Sequence, residues 1–135
     1  VTLWHSDGSD VTASLPGWGI SFSATHYFEN NLNPFIRGGF AEDGGTLLQK
    51  SIPAGLGYQP KPGGHLLGFA IGWGEPNETT FTKGLNNQIT TELFYRIQIS
   101  KHFVITPDIQ YLINPALNPD ESSIFVWGIR ARINL

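Results

Sequence analysis

The segment 124–135 has the clearest alternation of apolar and polar side chains in the chain. Its odd positions are apolar: Phe125, Trp127, Ile129, Ala131, Ile133 and Leu135. Its even positions include small or polar residues, among them Gly128, Arg130, Arg132 and Asn134. Because successive side chains of a strand point to opposite faces, this pattern predicts a strand with one apolar face. A helix would bring both arginines onto the apolar stripe, so the strand is favoured.

Two preceding segments, 88–99 and 103–114, alternate in the same way. Each has about twelve residues, whereas strands of soluble proteins usually have about 5–6 and tilted strands that cross a bilayer need about 9–11. Weaker candidates lie at 1–6, 18–29, 34–41, 51–59 and 65–74. The pattern therefore predicts an all-β chain of about eight antiparallel strands.

The predicted connectors alternate in length. Segments 30–33, 60–64 and 100–102 are short, whereas 7–16, 42–50, 75–87 and 115–123 are long. Eight of the eleven acidic residues lie in or beside the long connectors: Asp7, Asp10, Glu42, Asp43, Glu75, Glu78, Asp120 and Glu121. Short turns at one rim and long loops at the other are typical of a transmembrane outer-membrane barrel.

The two faces of these strands differ in chemistry. The apolar face carries aromatic residues near both strand ends, which predicts the two aromatic belts of a bilayer interface. The predicted belt residues are Trp18, Trp73, Phe125 and Trp127 near the long loops, and Phe28, Tyr58 and Phe103 near the short turns. The other face is polar with few charges, as expected for a wet lumen. A soluble β-barrel would instead turn its apolar face inward.

Two prolines, Pro53 and Pro107, lie inside predicted strands. Proline has no N–H for the ladder and usually marks an edge or a bulge. A closed barrel has no edge, so we expect local bulges at both positions.

The composition supports this interpretation and excludes others. Only 14% of residues are charged, against about 25% in an average soluble domain, as expected if much of the surface faces lipid. The hydrophobic content of 40% argues against disorder. The longest apolar run, 66–74, is too short for a spanning helix. A net charge of -3 gives no case for nucleic-acid binding.

No residue pattern indicates an enzyme or a cofactor. The absence of Cys excludes disulfides and thiolate metal sites. The four histidines have no ligand spacing, and we found no hydrolase, metalloprotease or phosphate-loop motif. The loop acids are interpreted as solvated charge rather than a Ca²⁺ site, so no metal site is predicted.

Three stretches resemble the C-terminal region of the carbohydrate-selective porin (OprB-type) family of Gram-negative outer membranes. They are GFAIGWGEP at 68–76, TELFYRIQISKHFVITPDIQYLINPALNPD at 91–120 and VWGIRARINL at 126–135. The resemblance is strongest over 50–135. It implies passive diffusion of sugars through a polar lumen, with outer-membrane lipid and lipopolysaccharide around the barrel, and it leaves a homo-oligomer open.

The chain departs from this family in length and at its last residue. Family barrels have about sixteen strands, which leave an aqueous channel. Residues 1–135, which form a single barrel region and contain no Met, are therefore expected to be the C-terminal half. Leu135 stands where such barrels typically end in an aromatic residue. The alternatives are a self-contained eight-stranded barrel with a structural, adhesive or lipid-interacting role, and a soluble β-barrel binder.

Hairpin geometry predicts which lumen residues meet. If residue numbers add to 202 across the turn at 100–102, Phe94 lies opposite Asp108, with Arg96 diagonal to it. A sum near 238 in the next hairpin places Asp108 opposite Arg130 and Tyr111 opposite Trp127. The predicted pore-lining, solute-contacting residues are Arg37, Glu92, Phe94, Arg96, Asp108, Gln110, Arg130 and Arg132. These side chains either contact sugar hydroxyls or form a salt-bridge network that stiffens the wall.

Overall fold

The computed structural model describes residues 1–10, 15–80 and 84–134, and it consists of one antiparallel sheet. Each strand pairs with the next along the chain. The strands are β1 (Thr2–Ser6), β2 (Gly17–Thr25), β3 (Leu32–Glu42), β4 (Leu48–Tyr58), β5 (Leu66–Pro76), β6 (Gln88–Gln98), β7 (Phe103–Ile113) and β8 (Ser123–Ile133). Within these ranges no helix is long and apolar enough to cross a membrane. Leu135, predicted on the apolar face of the last strand, is outside the described residues.

The eight predicted strands are confirmed, with corrections at several ends. β2 ends at Thr25 rather than at 29, because the chain turns at Asn31 with a φ of 66°. The N–H of Phe28 donates to the carbonyl of Leu32 across this turn. The connector predicted as long at 42–50 is only 43–47, since β3 continues to Glu42 and β4 begins at Leu48. Positive φ values at Asp43, Gly44 and Gly45 make so short a loop feasible.

The period-two alternation gives the sheet two chemically different faces. One continuous row of paired residues, one from each of β4 to β8, is apolar: Leu56, Phe69, Leu93, Ile109 and Trp127. We call the face that carries this row the outer face. The neighbouring row on the opposite face is Gly57, Gly68, Phe94, Asp108 and Gly128. We call that face the inner face.

The sheet encloses almost no core of its own. Among the described residues the buried hydrophobic ones are Ala41, Val104 and Ala116. The accessible surface is 9278 Å², whereas a globular protein of 14.9 kDa exposes about 7,000 Å². In the described part of the chain β1 and β8 do not pair with each other, so the sheet is open. The apolar outer face therefore packs against nothing within the described chain.

The bulges predicted at the two prolines are wrong. At Pro53 the β3–β4 pairing omits the positions of Arg37 and Gly38 and then resumes in the same register. At Pro107 the β6–β7 pairing omits Tyr95 and Arg96 and also resumes unchanged. Each proline keeps its partner on the other side, Gly72 and Ile129 respectively. The missing N–H is thus accommodated by a gap in one ladder, without an inserted residue.

The strand registers confirm one sequence-based pairing and correct the other. Phe94 pairs with Asp108, as predicted for the β6–β7 hairpin. In the β7–β8 hairpin, however, Asp108 pairs with Gly128 and Tyr111 with Phe125, a shift of two residues. The same register continues just beyond the strands, where the N–H of Asn114, at a φ of 51°, donates to the carbonyl of Ser122. A shift of two preserves the faces, so the arginines of β8 remain on the inner face.

Side-chain hydrogen bonds connect the long loops to one another. Asn77 is 2% exposed, and its Nδ2 donates to Oγ1 of Thr46 over 2.9 Å. The N–H and hydroxyl of Thr79 both donate to Oδ1 of Asn77. In the loop after β7, the N–H of Ala116 donates over 3.0 Å to Oε1 of Gln88, the first residue of β6. The loop rim is therefore held together by contacts beyond the strand ladder.

Candidate functional site

A polar groove of about 690 Å³ lies on the inner face and spans β3 to β8. It is lined by six of the eight predicted pore-lining residues: Arg37, Glu92, Phe94, Arg96, Arg130 and Arg132. On a flat sheet β3 and β8 would be about 24 Å apart, at about 4.8 Å for each strand step. Residues of both strands line one groove, so the inner face is concave.

The remaining two predicted residues, Asp108 and Gln110, join an ion-pair cluster at the edge of the groove. The side chain of Asp108 is only 5% exposed, and its Oδ2 lies 3.5 Å from Nε of Arg130. Nη2 of Arg130 donates to Oε1 of Glu92 over 3.0 Å. Nε2 of Gln110 donates to the other oxygen of Asp108 over 3.3 Å. The cluster thus links side chains of β6, β7 and β8.

Gly128 provides the space for this buried carboxylate. A Cβ at Gly128 would lie 2.7 Å from both carboxylate oxygens of Asp108, closer than real Cβ atoms approach. Because Gly128 is the direct partner of Asp108 on β8, the carboxylate lies over the neighbouring backbone. Arg130, two residues further along, reaches it diagonally. The β7–β8 register therefore determines the geometry of the ion pair.

Arg96 does not take the position that the sequence suggested. It was expected to flank Asp108 together with Arg130, but across residues 1–10, 15–80 and 84–134 its guanidinium forms no ion pair. Its Nε is buried without a hydrogen-bond partner in the same ranges. Arg96 lies at the ladder gap created by Pro107, so its backbone is unpaired on the β7 side as well.

Two aromatic rings cover the part of the groove that carries no charge. Phe94 lies over Gly68, where an added Cβ would be 2.2 Å from the ring, and Phe35 lies over Gly55 at 2.5 Å. The guanidinium of Arg37 is 5.3 Å from the centre of the Phe35 ring, a cation–π distance. Sequence analysis identified Phe94 and missed Phe35. Phe35 could have been found because it lies two positions before Arg37 on the same strand, and residues two apart share a face.

The predicted belt residues are distributed over the outer face and the turns. Trp18 and Phe125 are exposed near the long-loop end, and Tyr58 is exposed at the short-turn end. Trp127 is also exposed but lies in the middle of β8 rather than at the predicted long-loop end. Trp73 and Phe103 are half-buried on the same face. Phe28 lies in the turn after β2, with its ring edge-on to His26 at 4.6 Å. Their contact with a membrane interface stays a prediction.

The outer face also carries polar pairs, all near the long loops. Nζ of Lys50 lies 3.1 Å from Oε2 of Glu75. Nε1 of Trp18 donates to Oε2 of Glu42 over 2.9 Å. Each of these pairs joins two neighbouring strands directly across the ladder. Within the described ranges no group of three or more His, Cys, Asp or Glu residues could hold a metal ion.

Comparison with known proteins identifies the family. The model of the carbohydrate-selective porin family, OprB, matches residues 17–135. The chain is 30% identical over 123 residues to Porin AaxA of Chlamydia felis, and 29% identical over 126 residues to Porin AaxA of Chlamydia abortus. Each match covers 87% of this chain and 27% of the relative, so the chain spans about a quarter of those proteins' length. No solved structure matched significantly.

The family match agrees with the architecture. An all-β antiparallel sheet with an apolar outer face and a concave polar inner face is what a section of a porin wall requires. The family match covers seven of the eight strands. The chain therefore belongs to the OprB family of carbohydrate-selective porins.

Proposed function

We propose that the protein carrying this chain is a porin of the Gram-negative outer membrane, through which sugars and other small hydrophilic solutes diffuse passively. The observation that carries the proposal is the concave polar groove on the inner face, directly behind an apolar outer face. Lipid would cover the outer face and water would fill the groove. The mechanism requires no covalent chemistry, cofactor or metal.

The groove residues would serve a diffusing sugar by replacing part of its hydration. Guanidinium, carboxylate and amide groups donate or accept hydrogen bonds from hydroxyls, and the flat ring of Phe94 can stack on the apolar face of a sugar ring. Passage requires that each contact be weak enough to release the solute. Exposed side chains such as Arg130, with 63% of the side chain exposed, suit this requirement.

Planar-bilayer conductance of the complete protein tests the proposal. We expect a steady ion conductance that glucose reduces in a concentration-dependent way. Phe94→Ala should weaken glucose block several-fold, because a stacking contact is worth about 0.5–1.5 kcal/mol. Phe69→Ala is the matched control, since Phe69 lies on the neighbouring strand but is 50% exposed on the outer face.

Three results would contradict the proposal. A protein that forms no conductance would instead fit a self-contained eight-stranded barrel, whose interior is filled by side chains. A protein that stays in solution without detergent would fit a soluble β-barrel. Equal loss of glucose block in Phe69→Ala and Phe94→Ala would remove the inner face from the solute path.

A further inference from the structure

Arginine and lysine are segregated between the two faces and the rims of the sheet. All four arginines of the chain, Arg37, Arg96, Arg130 and Arg132, line the inner groove. Lysines lie elsewhere: Lys50 is on the outer face, and Lys61 and Lys101 are in short turns. The fourth lysine, Lys83, is outside the described residues. Among the described residues, the positive charges that line the groove are therefore all guanidinium groups, and no lysine lines it.

The chemistry of the two side chains gives this segregation a meaning. Guanidinium is planar and permanently charged, and it presents paired N–H donors that match the two oxygens of a carboxylate or phosphate. Lysine has a compact, strongly hydrated ammonium group without this geometry. Four arginines around one groove thus indicate recognition of an anionic group.

Half of this positive charge is not neutralised by the acidic residues of the groove and its edge. Glu92 and Asp108 both pair with the same side chain, Arg130. In the described part of the chain, the other three arginines have no carboxylate within 4.0 Å. Four positive and two negative charges leave the groove with an excess of two positive charges.

One of the uncompensated arginines, Arg37, is already held in place. The contact with the ring of Phe35 positions the guanidinium of Arg37. Arg96 has a buried Nε without a partner among the described residues, so part of its hydrogen-bonding capacity is removed from water and unused. A guanidinium that is already ordered, such as that of Arg37, loses less entropy when it binds an anion.

We infer that Arg37, Arg96 and Arg132, the groove arginines without an acidic partner among the described residues, provide a binding subsite for anionic sugars, in which a carboxylate or phosphate meets a guanidinium group while the sugar ring lies against Phe94. The inference rests on the proposed function and deepens it, because it names acidic sugars as the preferred solutes. The cluster of Arg130 with Glu92 and Asp108 borders the subsite and carries one net negative charge. Exposed acids of the long loops lie at the rim, where salt screens their repulsion of an anion beyond about 8 Å.

Solute block of the bilayer conductance by D-glucose, D-glucuronate and glucose 6-phosphate tests this inference on the complete protein. We expect both acidic sugars to block at about tenfold lower concentration than glucose, the factor expected from one charge-assisted hydrogen bond. The double variant Arg96→Gln/Arg132→Gln should lose this preference, so that glucuronate and glucose block at similar concentrations. If both acidic sugars are preferred, the subsite recognises an oxyanion in general, whether it is a carboxylate or a phosphate.

Two controls separate the geometry of the guanidinium group from overall charge. Arg96→Lys/Arg132→Lys keeps the charge and should retain anion selectivity of the open channel while losing most of the preference for acidic sugars. Lys61→Gln/Lys101→Gln removes two rim charges and should leave the preference unchanged.

The failures of the two proposals are distinguishable. An open channel that glucose and glucuronate block at equal concentration overturns the anionic subsite and leaves the porin proposal intact. Retention of the full preference in the Arg→Gln double variant overturns it as well. A protein without conductance overturns both.

Discussion

Strands β4 and β5 build the inner face in a different way from strands β6 to β8. The first pair presents a glycine-rich wall, with Gly55, Gly57, Gly68, Gly72 and Gly74 turned inward. The following three strands present a charged wall, with Glu92, Arg96, Asp108, Arg130 and Arg132. Long charged side chains need space in front of them, and the glycines of β4 and β5 add no side chains of their own to the groove. The groove therefore depends on both walls: β6 to β8 provide the charged side chains, and β4 and β5 keep the groove wide.

The aromatic rings show how the two walls are joined. Phe35 comes from β3 and Phe94 from β6, so the rings reach the glycine-rich wall from both sides. Each ring occupies the position that a side chain on β4 or β5 would fill. Gly55 and Gly68 must therefore lack a side chain so that the rings of Phe35 and Phe94 can pack over them. Substitution by alanine separates the glycines that need this space from those that do not.

The largest effect is expected at Gly55. A Cβ there would lie 2.5 Å from the carbonyl oxygen of Phe69 as well as from the Phe35 ring, so backbone must move. We expect Gly55→Ala to lower the free energy of unfolding by about 1–3 kcal/mol, the usual range for overpacking. The measurement is the urea midpoint of the folded complete protein in detergent micelles.

Gly72→Ala is the matched control on the adjacent strand. The nearest atom to its Cβ is Cβ of Pro53 at 3.4 Å, an ordinary contact. We expect an unchanged or slightly increased stability, because alanine reduces the conformational entropy of the unfolded chain. Equal destabilisation by both substitutions would show that the glycine-rich wall has no position-specific packing.

The next largest effect is expected at Asp108 on the charged wall. Asp108→Asn removes the charge from a nearly buried partner of Arg130 and should lower the free energy of unfolding by about 1.5 kcal/mol. Glu92→Gln removes the other partner, whose side chain is 26% exposed, and should cost less than about 1 kcal/mol. Urea unfolding at low and at 1 M salt distinguishes them, because salt should weaken the Glu92 effect more strongly. A larger loss from Glu92→Gln would contradict the assignment of Asp108 as the buried anchor.

A smaller effect is expected at Gly68. The three atoms nearest to its added Cβ all belong to the ring of Phe94, which can rotate away without backbone movement. We expect Gly68→Ala to cost about 1 kcal/mol, the low end of overpacking, and to push the ring into the groove. Near-ultraviolet circular dichroism would report the displaced ring, and glucose block should weaken. A variant with wild-type stability and block would mean that Phe94 does not rest on Gly68.

The smallest effect is expected from the ion pair on the outer face of the glycine-rich strands. Lys50 and Glu75 are 47% and 33% exposed, so their attraction is well screened. Lys50→Gln should change the free energy of unfolding by no more than about 1 kcal/mol. The same urea titration measures it. A loss of stability as large as that of Asp108→Asn would show that water screens the Lys50–Glu75 pair much less than the exposure of the two side chains indicates.

Strand periodicity made most of this fold predictable. An alternation of period two assigns faces without knowledge of strand partners, so Arg130 and Arg132 were placed on the inner face from parity alone. The β6–β7 register followed from a tight turn at 100–102 and was confirmed. The predicted β7–β8 register was wrong by two residues, because a shift of two leaves the apolar and polar faces unchanged and the hydrophobic pattern cannot detect it.

The glycine-rich wall and the ladder gaps could not be predicted in the same way. A glycine has no polarity to assign to a face, and its role appears only when Phe35 or Phe94 is seen across a neighbouring strand. Proline lacks a backbone N–H donor in either a bulge or a ladder gap, so the sequence cannot distinguish these two arrangements at Pro107. The β6–β7 register was predicted correctly, and it placed Arg96 diagonal to Asp108. Parity and register do not determine the direction in which a long side chain extends, so the predicted contact between the two residues did not follow.

The Lys50–Glu75 ion pair has one more consequence in the proposed outer-membrane setting, as a marker of membrane thickness. Tyr58 lies on the same face of β4, eight residues after Lys50. Eight residues rise about 27 Å along a strand. On a strand tilted by about 40°, this spans about 21 Å along the membrane normal. A bilayer with a thicker hydrocarbon layer would have to thin around this wall to keep Lys50 and Glu75 hydrated.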